Sequence, residues 1–222
     1  MAISSVNKLL KTELESLGKQ LKTRSRTEVE MINIMSDHII SSGGKRLRPI
    51  TLLLSAYSVN SQLESTIIDS SVVVEFIHAA TLLHDDVVDM SDIRHNIDTA
   101  HTIWGNKGAV LVGDFLYSRA FEIIVEINSP LVYETLAQTT NIIAQGEVMQ
   151  LMNIGNIDIS ENLYMDIIFR KTSILFQASM KIGAILNKGT DEEIQSLAKF
   201  GLHFGNAYQM INDYLDYFGN SE

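Results

Sequence analysis

Apolar residues recur three and four positions apart along almost the whole chain, the spacing that gives an α-helix one buried face. Val72, Val73, Phe76, Ile77, Ala80, Leu83, Val87 and Val88 form one such stripe. The pattern predicts helices near residues 5–20, 27–41, 50–59, 65–90, 103–127, 131–152, 161–187 and 191–218. The intervening segments 42–48, 91–101, 153–160 and 188–190 carry the Gly, Asn, Asp and Ser of connecting loops. Strand signals joined by tight Asn-Gly or Asp-Gly turns are missing. Pro49 and Pro130 each stand where a helix can begin, because proline fixes φ for a first turn. The expectation is an all-α fold in a single domain, 1–222, without linker, low-complexity tract or solenoid repeat.

Composition narrows the function classes. With 45% hydrophobic and 20% charged residues, a chain of 222 residues has ordinary globular composition and can bury a sizeable core. It contains no cysteine, which removes disulfides and thiolate metal sites. A formal net charge of −10 argues against nucleic acid as the main partner, yet leaves room for small anions at local basic clusters. The segment Met1 to Gln20 is interrupted by Lys8, Lys11, Glu13 and Glu15 and does not read as a signal peptide. The stretch nearest to a membrane span, Ile167 to Leu186, is broken by Arg170, Lys171 and Lys181. No membrane span and a cytoplasmic location are expected.

The most informative segment is His84-Asp85-Asp86-Val87-Val88-Asp89. Asp85 and Asp89 are four apart, so on a helix both carboxylates leave one face about a turn apart. Two such carboxylates repel unless a cation lies between them, and hard oxygen donors favour Mg²⁺. Alone, this spacing is more often a solvated acidic patch; at the end of a long apolar helix that reading weakens. A second acidic cluster, Gln209-Met210-Ile211-Asn212-Asp213-Tyr214-Leu215-Asp216-Tyr217, repeats the spacing. Two facing helices of this kind would rim a cavity with carboxylates. Gly43-Gly44-Lys45-Arg46-Leu47-Arg48-Pro49 gathers three cations where backbone N–H groups are exposed, which suits a phosphate as well as it suits a basic surface turn. Further cations stand at Arg94 and at Arg170-Lys171-Thr172. His78 lies two helical turns before Asp85, on roughly the same face.

Together these residues resemble the trans-polyprenyl diphosphate synthase family, bacterial long-chain members of the octaprenyl type in particular. The resemblance runs from about residue 25 to 219. It includes Gly43 to Pro49, Phe76 to Asp89, Gly113-Asp114-Phe115-Leu116, Gly146-Glu147-Val148-Met149-Gln150-Leu151, Lys171-Thr172 and Gln209 to Tyr217. It implies an isoprenoid synthase-type helical bundle around a central cavity. It also implies a Mg²⁺-dependent condensation of isopentenyl diphosphate with an allylic diphosphate, such as farnesyl diphosphate, whose prenyl group is transferred as its diphosphate leaves, yielding a long all-trans polyprenyl diphosphate that serves as a quinone side-chain precursor. In that pattern Lys45, Arg48 and His78 hold isopentenyl diphosphate. Asp85 and Asp89 hold Mg²⁺ on the allylic diphosphate, which Arg94, Lys171, Thr172 and Gln209 contact; Asp213 and Asp216 are the metal residues of the second cluster. Asp85, Asp89, Arg94 and Lys171 are the residues expected to carry the chemistry. The small Ala80 and Thr81, one turn deeper than Asp85, leave the chain-length position open and imply a long product. The family also implies a homodimer, to which the apolar stretch Ile103 to Ile127 adds surface.

Three departures bear on activity. Asn212 replaces the leading aspartate of the second acidic motif and brings no charge. His95 stands where the family has an arginine. The chain ends at Glu222, whereas relatives continue through further helices and a lysine-rich loop, so the C-terminal helices of the fold are expected to be missing. An alternative is therefore a weakly active or non-catalytic remnant or subunit of such a synthase. A class I terpene cyclase shares the aspartates but has no use for the Gly-Gly-Lys-Arg loop.

Overall fold

Burying the apolar stripe of the segment 65–90 needs a long helix with partners on several sides, and Thr66–Val88 is that helix. The structure, a computed structural model, describes residues 2–41, 44–94 and 97–219. Among the described residues the elements in chain order are α1 (Ala2–Leu9), α2 (Lys11–Arg24), α3 (Glu30–Ser41), α4 (Leu47–Val59), α5 (Thr66–Val88), β1 (Ile93–Arg94), β2 (Ile97–Asp98), α6 (Ala100–Trp104), α7 (Asn106–Ile127), α8 (Pro130–Met152), α9 (Glu161–Ile168), a π-turn (Phe169–Ser173), α10 (Ile174–Leu186) and α11 (Asp191–Phe218). They gather into two compact units, one of residues 1–50 and 65–129, the other of residues 51–64 and 130–222.

In the first unit α5 packs chiefly against α7, with α2 and α3 also touching it. Val72, Val73, Val74, Phe76, Ile77, Ala80 and Leu83 are wholly buried, joined by Leu10, Leu17 and Leu21 from the N-terminal helices. Arg24 closes the α2 edge by pairing with Asp69 at 3.4 Å and Glu126 at 2.6 Å. The stretch nearest to a membrane span is α5 rather than Ile167 to Leu186. At 23 residues, with a window of mean hydropathy 1.5, α5 has the length and composition to cross a membrane. Its burial, 61% over that window, is that of a core helix, and this is why its apolar face runs nearly all round.

Other differences have local causes. The expected helix 5–20 is two helices that meet at buried Leu10, whose φ of −98° and ψ of 20° break the ladder. The expected helix 103–127 is α6 and α7, separated at Gly105, where φ is 80°, a value glycine adopts without strain. The expected helix 161–187 is interrupted by the π-turn. Helix α4 begins at Leu47, so Pro49 sits third in it, still in the first turn where a missing N–H costs no helical bond. The loop 91–101 contains a small antiparallel pair, Ile93 opposite Asp98 and Arg94 opposite Ile97.

In the second unit α10 packs against α11 and α8. Phe176 meets Phe204 and Tyr208 edge-on at 5.2 and 5.5 Å. Asn187, 1% exposed, donates from Nδ2 to the carbonyls of Ala56 and Asn60 at 2.7 and 2.9 Å and accepts from the Glu64 N–H at 3.2 Å. It thereby completes the carbonyl end of α4. Asn187→Ala removes these three contacts, leaving the Ala56 carbonyl only its helical bond from the Asn60 N–H, and is expected to lower stability by about 2 kcal/mol, read from urea denaturation midpoints.

Candidate functional site

The C-terminal end of a helix carries about half a negative charge, so carboxylates there are disfavoured by roughly 0.3–1 kcal/mol each unless a cation compensates. Helix α5 ends in Asp85, Asp86 and the cap residue Asp89, with no basic residue in its last turn. Helix α11 carries Asp216 in its last turn and Asp213 just before that turn, and likewise has no basic residue in its last turn. The chain thus twice places acid where helix electrostatics oppose it.

In the first unit part of this charge is neutralised internally. Arg94, carried on β1, donates from Nε and Nη2 to Asp86 Oδ1 at 2.9 and 2.7 Å. Asp86 is 2% exposed, on the buried side of α5. Asp85, half-buried, and Asp89, exposed, leave the helix elsewhere, one turn apart as the spacing predicts. The resemblance implies a substrate role for Arg94 and none for Asp86. The overlooked signal is that Asp86 lies three residues after Leu83 and seven after Ala79, within the core stripe.

No three His, Cys, Asp or Glu side chains come together as a ready metal cage among the described residues. Asp85 and Asp89 fit Mg²⁺ in its usual protein setting, where one or two carboxylates are completed by water and substrate phosphate oxygens.

The basic turn lies before α4. Gly44 has φ 114° and Arg46 φ 46°; Lys45 is exposed between them. Arg48, in the first turn of α4, donates from Nη1 to His78 Nε2 at 2.9 Å, which requires that nitrogen to be the unprotonated one. One turn before His78, the carboxyl of Glu75 is pushed up by burial, against the opposing pull of Arg46 and Arg48. Gly43 and His95 lie outside the described residues. Thr81 is half-buried, shares the face of His78 and Asp85, and donates to the His78 carbonyl at 2.8 Å. Ala80, one position and about 100° away, is fully buried at the α5–α7 crossing. That crossing is tight: a Cβ at Gly113 would stand 3.3 Å from the Ala80 carbonyl oxygen and run into the His84 ring.

In the second unit four predicted and unpredicted residues form one chain of hydrogen bonds. Thr172 Oγ1 donates to Gln209 Oε1 at 2.9 Å, and Gln209 Nε2 donates to Asp213 Oδ1 at 2.7 Å. Tyr164 donates its phenol to Asp213 Oδ2 at 2.6 Å. Lys171 Nζ pairs with Glu147 Oε2 at 2.8 Å. Asp216 is exposed and Asn212 half-buried. No sequence signal marks Tyr164, and Glu147 is marked only by its place in the segment 146–151. Burial, then the hydrogen bond and charge of Asp213, push the Tyr164 phenol up to about 12. Its contribution to stability is complete below pH 10, where an unfolded tyrosine still holds its proton, and is lost as pH rises through about 12. Ultraviolet titration is expected to show a phenol ionising near pH 12, and Tyr164→Phe to remove it.

Residues 29–222 match the polyprenyl synthetase family. The chain is 40% identical over 222 residues to an octaprenyl diphosphate synthase of Escherichia coli (strain K12), covering 100% of this chain and 68% of that protein. It is 38% identical over 222 residues to the octaprenyl diphosphate synthase of Haemophilus influenzae, covering 67% of it. Among solved structures, a decaprenyl diphosphate synthase from Rhodobacter capsulatus superposes with TM-score 0.93 at 36% identity, over 97% of this chain and 66% of that one. A polyprenyl synthase from Caulobacter crescentus CB15, complexed with calcium and isoprenyl diphosphate, superposes with TM-score 0.94 at 38% identity, over 99% of this chain and 66% of that one. The chain therefore spans about two thirds of the length of these relatives.

Proposed function

Because the chain belongs to the polyprenyl synthetase family, we propose that it is a trans-prenyltransferase that condenses isopentenyl diphosphate with an allylic diphosphate, such as farnesyl diphosphate, into a long all-trans polyprenyl diphosphate. The observation that carries this reading is the pair of acidic helix ends, at Asp85–Asp89 and Asp213–Asp216, that lack basic counter-charge in their own last turns. Such ends call for cations, and the Caulobacter relative is described with a divalent cation and a prenyl diphosphate together.

Asp85 and Asp89 are the proposed Mg²⁺ holders of the first cluster, Asp213 and Asp216 those of the second. Mg²⁺ supplies neutralisation of the charge that builds on the leaving diphosphate. Lys45, Arg48 and His78 bind isopentenyl diphosphate; the Arg48–His78 contact fixes both side chains before the substrate arrives. Arg94 has five N–H donors and spends those of Nε and Nη2 on Asp86, so its Nη1 remains to bind an allylic phosphate. Lys171, Thr172 and Gln209 bind the same group. The allylic C–O bond breaks to release diphosphate, the isopentenyl double bond attacks the resulting carbocation, and the released diphosphate takes the proton then lost, so no nucleophilic side chain is required. The partner is a second copy of the chain. The exposed apolar residues Leu111, Phe121 and Val125 on α7 supply a surface for it. The product suits a quinone side chain, and the location is cytoplasmic.

Incubation with labelled isopentenyl diphosphate, an allylic primer and Mg²⁺ is expected to yield long labelled prenyl chains. Absence of product at any primer length would overturn the reading. Mg²⁺ with inorganic diphosphate is also expected to raise the melting temperature by several degrees, as a ligand bound only by the folded state does. An unchanged melting temperature would remove the cation from these helix ends.

A further inference from the structure

Lys171 and Thr172 do not sit on an α-helix. They occupy the π-turn Phe169–Ser173, a single wider turn between α9 and α10. One residue inserted into a helix rotates everything before it by about 100° relative to everything after it. Such a turn forfeits regular hydrogen bonding, so something must hold it open. The structure supplies supports on two sides.

On one side α8 approaches at Gly146. A Cβ there would stand 2.7 Å from Arg170 Cβ and 2.9 Å from the Lys171 backbone nitrogen. On the other side α11 approaches at Gly205, where a Cβ would stand 2.6 Å from Ser173 Cα and 2.9 Å from Ser173 Cβ. No side chain larger than hydrogen fits either place without moving the turn. Polar contacts complete the seat. Ser173, fully buried, donates to the Ile168 carbonyl five residues back at 3.3 Å and contacts Asn206 Oδ1 at 2.5 Å. Beside Gly146, Glu147 takes the Lys171 ammonium at 2.8 Å. One helical turn beyond Gly205, Gln209 accepts from Thr172 at 2.9 Å. Each flanking helix therefore offers a glycine that admits the turn's backbone and, close by, a polar side chain that takes hold of its functional residue.

We propose that Gly146 and Gly205 are positioning residues, which seat the π-turn and thereby aim Lys171 and Thr172 at the allylic diphosphate. The proposal rests on the functional reading above and adds to it a means of substrate discrimination: the seat serves the allylic diphosphate and not isopentenyl diphosphate, whose proposed ligands Lys45, Arg48 and His78 are on other elements.

The test compares Gly146→Ala, Gly205→Ala and the milder Ser173→Ala with the parent chain. Steady-state KM is measured for each substrate, and Mg²⁺-dependent binding of inorganic diphosphate is followed by calorimetry. The expected result is a rise of about tenfold or more in KM for the allylic diphosphate, since small displacements of positioning groups cost one to two orders of magnitude. KM for isopentenyl diphosphate stays at the parent value, and circular dichroism shows parental helix content. Ser173→Ala leaves both glycines in place and is expected to show the same selectivity with a smaller rise. Equal changes in both KM values would make the glycines mere packing residues and overturn the proposal, as would parental kinetics in folded variants. A parent that binds Mg²⁺-diphosphate but makes no product would overturn the functional reading alone, with weaker diphosphate binding by the glycine variants still supporting the seat. A parent that binds no diphosphate would overturn both.

Discussion

Asp85→Ala is expected to lower turnover by about a thousandfold while leaving the fold intact. The magnitude follows from losing a metal ligand that acts on the leaving group, comparable to losing a strong electrostatic contact to a transition state. The fold survives because Asp85 is half-buried at the carbonyl end of α5, where its charge opposes the helix dipole. Removing that charge is expected to leave the melting temperature unchanged or slightly raised. The neighbouring position behaves in the opposite sense. Asp86 is 2% exposed and holds Arg94 through two contacts on one oxygen. Asp86→Ala leaves a half-buried guanidinium without its carboxylate, a loss of about 2 kcal/mol of stability that turnover at low temperature reports only in part. Asp86 also holds Arg94, the proposed ligand of the allylic phosphate, so Asp86→Ala is expected to lower both stability and turnover, whereas Asp85→Ala lowers turnover alone. Labelled isopentenyl diphosphate incorporation and denaturant midpoints on both variants check this. Near-parental turnover by Asp85→Ala would take the metal out of the proposed mechanism.

The helices were legible because burial of one face imposes a period on the sequence, and nothing else in the chain competes with it. Their interruptions were less legible, since each depends on a contact remote in sequence. The π-turn exists where two glycines 59 residues apart, Gly146 and Gly205, let α8 and α11 close on it, and no local signal in Phe169–Ser173 announces that. The pair Ile93–Arg94 with Ile97–Asp98 is too short to show strand alternation, yet it is the element that delivers Arg94 to Asp86. The acidic and basic clusters could be read because like charges at helical spacing need an explanation. Their supporting partners could not, because Tyr164 stands 49 residues from Asp213 and Glu147 stands 24 from Lys171. What sequence gives of such a site is the charge that must be balanced; the neutral or opposite groups that balance it are matters of packing.

The same separation of face from core sharpens what is expected of product length. On the proposal that the growing chain passes along α5 away from Asp85, the first side chain it meets lies one turn back. The sequence offered Ala80 and Thr81 together for that place. In the structure only Thr81 shares the face of His78 and Asp85, while Ala80 is packed at the α5–α7 crossing beside Gly113. Thr81→Phe is therefore expected to shorten the product distribution, because an aromatic ring replaces a small side chain whose hydroxyl is already turned back onto the His78 carbonyl. Chain initiation is expected to persist, since no proposed ligand of either diphosphate is altered. Ala80→Phe is expected to do something different in kind. It forces a ring into a filled crossing and destabilises the first unit by about 3 kcal/mol or more, whatever it does to length. Chromatography of dephosphorylated products separates the two cases when read beside thermal melts. A Thr81→Phe chain that folds, turns over and still makes products of parental length would show that elongation does not run past this face of α5.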